Sequence, residues 1–362
     1  MMRRFPFLSA TARQWVVYGF FGTLLALGLG IYSDYGISWD EDLSRATGMV
    51  SLRHVAELIA PGRAAYYQDG TYPPLAAWPN REYGVAFELP ACVLERLLHV
   101  EDVGARYRLR HLLTFLVCFG GVAAVYQLGR QRFGSWQLGL LGAAWLVLSP
   151  RLFAESFYNS KDAVFMALFA TATLTAVRLL RRPTAGRAAW HALACAAAID
   201  VRVMATLLPV VTLAFLVVRA GAGKVAWRTA LAAASLYLVL LCGLVVAGWP
   251  YLWAAPWPNL KQAFQHMSVY GWDNTVRYRG AFVSVARLPW HYAPVWIGIT
   301  TPLLYLGGLL VGLLAVVRLL APGQWRHLYF VYPALLLALR GLFTEYRTAT
   351  ISAFRRPASG FQ

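Results

Sequence analysis

The stretch AWHALACAAAIDVRVMATLLPVVTLAFLVV, residues 189–218, decides how this chain is arranged. As one helix it is overlong for a bilayer core of about 30 Å, and it carries Asp200 and Arg202 near mid-membrane. Each such charge costs roughly 2.5 to 3.5 kcal/mol on insertion scales. As two short half-spans it turns back at these residues and places both at an outer turn. The distribution of basic residues chooses between the two readings. The hairpin assigns 1–14, 130–135, 178–188, 219–228 and 318–326 to the cytoplasm, and those segments hold fourteen of the 33 Lys and Arg and none of the 16 Asp and Glu.

Working outward, further apolar runs at 111–129, 136–150, 163–180, 229–249, 301–319 and 327–343 are candidate spans. A first span over 14–33 follows Arg3, Arg4 and Arg13 and has no small-x-small cleavage pattern before Asp34. Counting the two half-spans, the expected fold is an all-α polytopic transmembrane bundle of about nine helices with a cytoplasmic N-terminus. A hydrophobic fraction of 59% against 14% charged, with mean hydropathy +0.51 over 362 residues, excludes ordinary soluble domains. The net charge of +17 would suggest nucleic acid in a soluble chain. Here it is cut into short loops beside helix ends, so it is a topology signal and no nucleic-acid partner is expected. Cys92, Cys118, Cys195 and Cys242 are widely spaced without a CxxC pair, which argues against a disulfide framework and a zinc site.

One domain is expected over 1–343, with outer loops at 34–110, 151–162 and 250–300 and a polar tail over 344–362. Within the first loop, DEDLSRATGMVSLRHVAELIA (40–60) and YGVAFELPACVLERLLH (83–99) are expected as juxtamembrane helices at the interface. Glu88, Pro90 and Glu95 argue against a span in the second. The Trp- and Tyr-rich third loop suits headgroup depth.

Chemistry is expected in these outer segments. SDYGISWDEDLSRATG (33–48) gathers Asp34, Asp40, Glu41 and Asp42 directly after the first span. Two readings are open: Ser38 with Glu41 fits a capping box and Asp40 and Asp42 suit a helix N-terminus, or a carboxylate here serves as a general base. The short loop ends on Asn159, Ser160, Lys161 and Asp162, where Asp162 either caps the next helix or faces a site at the mouth of the bundle. Arg202 either snorkels or pairs with Asp200, or else binds a phosphate, for which guanidinium geometry is suited. His291 and Tyr292 are interfacial anchors or candidates for substrate contact. No Walker loop, dinucleotide fingerprint or nucleophile elbow is present.

An acidic pair (Asp40, Glu41) after a first span, two juxtamembrane helices, RYRLRHLLTF (106–115), LSPRLFAESFYNSKD (148–162) and LPWHYAPVWIGITTP (288–302) together resemble a known pattern. It is that of the GT-C superfamily of integral membrane glycosyltransferases, in the protein O-mannosyltransferase and aminoarabinose-transferase-like branch, glycosyltransferase family 39-like. The resemblance covers most of the chain. It implies a bacterial inner-membrane enzyme that takes a sugar from a polyprenyl-phosphate-linked donor to an extracytoplasmic lipid, glycan or protein acceptor with inversion. It also implies Asp40 as the catalytic carboxylate, Asp162 as a second acidic position, and Arg202 as the contact to the donor phosphate, with Lys161 beside it. A divalent cation, Mg or Mn, on that phosphate is left open. Members of this superfamily run on through further spans after RHLYFVYPALLLALRGLF (326–343), so a shortened C-terminus is expected, and a catalytically inactive relative is one alternative. A transporter of lipid-linked sugar is another; it predicts inverted repeats and mid-membrane charges, which the sequence does not show.

Overall fold

The computed structural model describes residues 9–62, 72–268 and 274–319. Helices form where the apolar runs lie, and polar residues at their ends fix the limits. α1 (Ala10–Ile31) starts where the Ser9 hydroxyl accepts from the Ala12 amide at 3.1 Å. α4 (Val103–Phe133) starts at Asp102, whose carboxylate accepts from the Ala105 amide at 2.6 Å, and stops at Gly134, which adopts a left-handed φ of 63°. Between them lie α2 (Glu41–Ile59) and α3 (Glu88–Leu97), the two expected juxtamembrane helices. α2 does not rest on a surface with one apolar face, because its Arg45, Thr47, Gly48 and Ser51 are buried along with Met49 and Val50. A Cβ on Gly48 would come within 2.8 Å of the Glu88 carbonyl, so glycine lets α2 and α3 touch. That close packing is why the apolar stripe of α2 is only partial.

The expected span 136–150 ends earlier. α5 (Trp136–Val147) gives way to α6 (Pro150–Tyr158), bent from it by 71°. Pro150 occupies the first turn of α6, where its missing N–H costs nothing, and Arg151 pairs with Glu155 one turn on at 2.8 Å. The segment 151–162, expected as a loop, is therefore largely helix.

α7 (Asp162–Arg181), α8 (Ala185–Ile199), α9 (Leu207–Gly221) and α10 (Trp227–Gly248) complete the first of two compact units, Met1–Asn259. α4 packs against α5 and α7, and α8 packs between α7 and α10. The decisive stretch is broken as the hairpin reading expects: α8 ends on Ile199, a turn occupies 200–206, and α9 leads back. Thr212 of α9 lies 3.0 Å from His191 of α8. Each has 15 residues, about 22 Å of helix.

The chain thus runs up and down, and charge separates along it. One end gathers Arg130, Arg132, Arg178, Arg181, Arg182, Arg187, Arg219, Lys224 and Arg228; several arginines there sit in last helical turns, where cations offset the dipole. At this arginine end Arg181 bonds Gln131 at 3.0 Å. The other end holds the α1–α2 junction, the α6–α7 junction and the α8–α9 turn, and the described carboxylates, from Asp34 to Asp200, belong to segments gathered there. Five helices among the described residues are long and apolar enough to cross a membrane, or up to seven if each bent pair is one span. The chain is a helical, multi-pass membrane protein. The expected span 327–343 and the tail 344–362 lie outside the described residues.

The second unit begins at Leu260, within α11 (Pro256–Ser268). It contains the one departure from all-α among the described residues: β1 (Thr275–Tyr278) pairs antiparallel with β2 (Ala281–Ser284), turning through Arg279 and Gly280 at φ 51° and 89°. Positive φ at both turn residues matches the right-handed strand twist. α12 (Tyr292–Thr300) and α13 (Leu303–Leu319) follow, bent by 118°.

Candidate functional site

Three chain junctions meet at the carboxylate end of the bundle, and each contributes a charged side chain. At the first, Glu41 performs the capping. Its Oε2 accepts from the Ser38 amide at 2.6 Å while its Oε1 lies 3.0 Å from His111 Nε2, and the residue is 2% exposed. Asp40, one position earlier, is exposed and makes no side-chain cap. Among the described residues its carboxylate has no hydrogen-bond or ion-pair partner. The Asp40 and Glu41 pair is thus split between a buried structural group and a free one.

At the second junction Asn159 is the cap. Its Oδ1 accepts from the amides of Lys161 and Asp162 at 3.2 and 2.7 Å, which closes the start of α7. Asp162 is released from that duty and accepts instead from Arg202 Nη2 at 2.5 Å. The third junction, the α8–α9 turn, supplies Arg202 in an extended conformation that aims it away from Asp200. Lys161 stands between these groups with its ammonium 5.2 Å from the centre of the Tyr83 ring. Burial holds Lys161 below its ordinary range, the nearby charge of Asp40 raises it and that of Arg202 lowers it further. Asp40 and Arg202 are therefore both within electrostatic reach of one half-buried amine. Arg202 keeps further N–H donors beyond the one given to Asp162.

Behind this open cluster lies a buried one that sequence reasoning did not assemble. Arg110 of α4 is fully buried and bonds both Glu88 and Glu95 of α3, the latter at 3.3 Å. Arg45 of α2 bonds Glu95 at 2.9 Å, and the Ser160 hydroxyl donates to Glu88 at 2.6 Å. Tyr107 donates to Asp42. The signal was present as three charges, Glu88, Glu95 and Arg110, interrupting apolar stretches, each too costly there to stay unpaired. A small cavity of about 20 Å³ lined by Ser44, Asn80, Tyr83, Glu88, Ser160 and Lys161 separates the two clusters, room for about one water.

In the second unit, His291 Nδ1 lies 2.6 Å from the Tyr278 hydroxyl, and Tyr292 stacks on Trp296 with ring centres 6.0 Å apart. These residues form an aromatic cluster anchored on the β-hairpin. Among the described residues no group of three or more His, Cys, Asp or Glu is placed to hold a metal ion.

Compared with protein-family models, curated proteins and solved structures, the chain matches none. The site's chemistry is read from its own geometry. An exposed carboxylate with no partner among the described residues, a half-buried amine and a guanidinium braced by a second carboxylate stand together, an arrangement able to accept a proton and hold an anion.

Proposed function

We propose that this chain is a nine-helix membrane glycosyltransferase that moves a sugar from a polyprenyl-phosphate-linked donor to an extracytoplasmic acceptor with inversion. The observation that carries the reading is the division of labour at the carboxylate end: Glu41 and Asn159 do the capping, which leaves Asp40 without a partner among the described residues, beside Lys161 and the Asp162–Arg202 pair. In the reaction Asp40 takes the proton of the acceptor hydroxyl, the acceptor oxygen bonds to the sugar C1, and the C1–O bond to phosphate breaks on the opposite face. The departing polyprenyl phosphate carries its negative charge onto Arg202 and Lys161. Asp162 holds the guanidinium in place. The positive-inside distribution supports the membrane orientation, with the arginine end cytoplasmic and the carboxylate end outside.

The test replaces Asp40 with Asn and measures sugar transfer from a lipid-linked donor in membranes. Turnover should fall by about 10² to 10⁴-fold, the usual range for a general base, while expression and detergent stability stay at wild-type levels. Wild-type turnover in Asp40→Asn would remove the reading.

A further inference from the structure

Away from the charged clusters, a second feature of the first unit is unused by the proposed reaction. The last two turns of α8, the last turn of α10 and the segment leading into α3 enclose an apolar groove of about 460 Å³, a volume typical of small-ligand sites. Leu193, Ala196 and Ala197 line it from α8 and Leu244 and Ala247 from α10. They fall at helical spacing on one face of each helix, so the groove runs along the helices for about 10 Å.

At its head is Asp200, which also lines the groove, is 2% exposed, and has an Oδ1 that is wholly buried with no hydrogen-bond partner. Neither carboxyl oxygen is paired with any described residue. The backbone of Asp200 is turned the other way: its carbonyl accepts from the Ala86 amide at 3.1 Å, and it lies so close to Gly84 that a Cβ there would come within 2.1 Å. Its carboxyl faces Gly248, where an added Cβ would meet Oδ2 at 2.5 Å. Glycine on one side fixes the main chain, and glycine on the other leaves room before the acid. A buried carboxyl left without a donor costs stability, so this arrangement calls for a ligand that supplies one.

The geometry points to a binding site for an amine-headed phospholipid of the bilayer, with an acyl chain lying along α8 and α10 and the head ammonium donating to Asp200. Charge complementarity selects that occupant. Among the described residues the lining offers one acid and no cation, and α10 and its partner α8 belong to the membrane bundle, where lipid is the ready source of apolar chains. This site stands apart from sugar transfer and does not need Asp40 or Arg202.

The test is native mass spectrometry of the full chain in delipidated detergent micelles, titrated with chain-matched phospholipids bearing ethanolamine, choline or glycerol heads. Choline has the charge without an N–H, and glycerol has donors without the charge. Ethanolamine lipid should bind about tenfold or more tightly than either, as expected for a charge-assisted hydrogen bond. Asp200→Asn should abolish that preference while leaving chain binding, and Ala197→Phe, which fills the groove, should weaken all three lipids. Equal affinity for the three heads, or a preference for glycerol, overturns the proposal, as does an ethanolamine preference that survives Ala197→Phe. The headgroup series on the unaltered chain and Ala197→Phe decide the matter even if Asp200→Asn does not fold.

Discussion

Two charged clusters sit at the same end of one bundle and use the same residue types, carboxylates facing cations across helix junctions. In the inner cluster Arg110, Arg45, Glu88 and Glu95 are buried and interlocked, and Glu41 is closed on His111. In the outer cluster Asp40 has no partner among the described residues, Lys161 is half-buried, and Asp162 and Arg202 form a pair open to solvent. The difference teaches that charge type does not assign a role here. Burial does: inside, each ion must be matched by protein groups, so the cluster binds α2, α3 and α4 together; outside, water pays most of the solvation and the groups remain available to a ligand.

The largest expected effect breaks the inner cluster. Arg110→Met leaves Glu88 a buried acid without its cation and Glu95 with Arg45 alone, and should cost about 3 to 5 kcal/mol, seen as loss of monodisperse protein in detergent. A variant of wild-type thermal stability would mean that the inner cluster is not structural. Next comes the contrast between neighbours. Glu41→Gln keeps an oxygen for the Ser38 amide but loses the charge facing His111, and should lower thermal stability while the folded fraction still transfers sugar, the reverse of Asp40→Asn. If Glu41→Gln instead stops turnover in a stable protein, the two positions exchange roles.

Smaller effects sharpen the outer cluster. Arg202→Ala should weaken donor binding about 10- to 100-fold with little loss of stability, because its exposed pair with Asp162 contributes little to folding. Arg202→Lys should retain part of that affinity. Unchanged donor affinity in Arg202→Ala would leave the pair as a surface contact only. The smallest effect is on pH dependence. Lys161 is held below its ordinary range, so between its folded value and about 10.5 the unfolded chain binds more protons, and stability from this group rises with pH through that window. Thermal melts of Lys161→Gln should show a flatter pH slope there than the unaltered chain, and an identical slope would place Lys161 in ordinary solvent.

Much of this architecture was legible in the sequence because membrane physics leaves few choices. Apolar runs of fixed length, and alternate loops that carry Arg and Lys but no carboxylate, pointed to the helices, the break within 189–218 and the separation of charge. What the sequence left open was which charge meets which. Asp200 and Arg202 are two residues apart and read as a natural pair, yet the turn sends Asp200 into an apolar groove and Arg202 across to Asp162, forty positions away. Capping is local by contrast: the Ser38 amide meets Glu41 and the Asp162 amide meets Asn159, each three positions apart, and the first of these was readable as a capping box. Arg110 meets Glu88 and Glu95 only where α4 packs against α3. Helix formation answers to local pattern and solvent, whereas ion pairing depends on distances of a few ångströms between distant segments, and these exist only once the helices have packed.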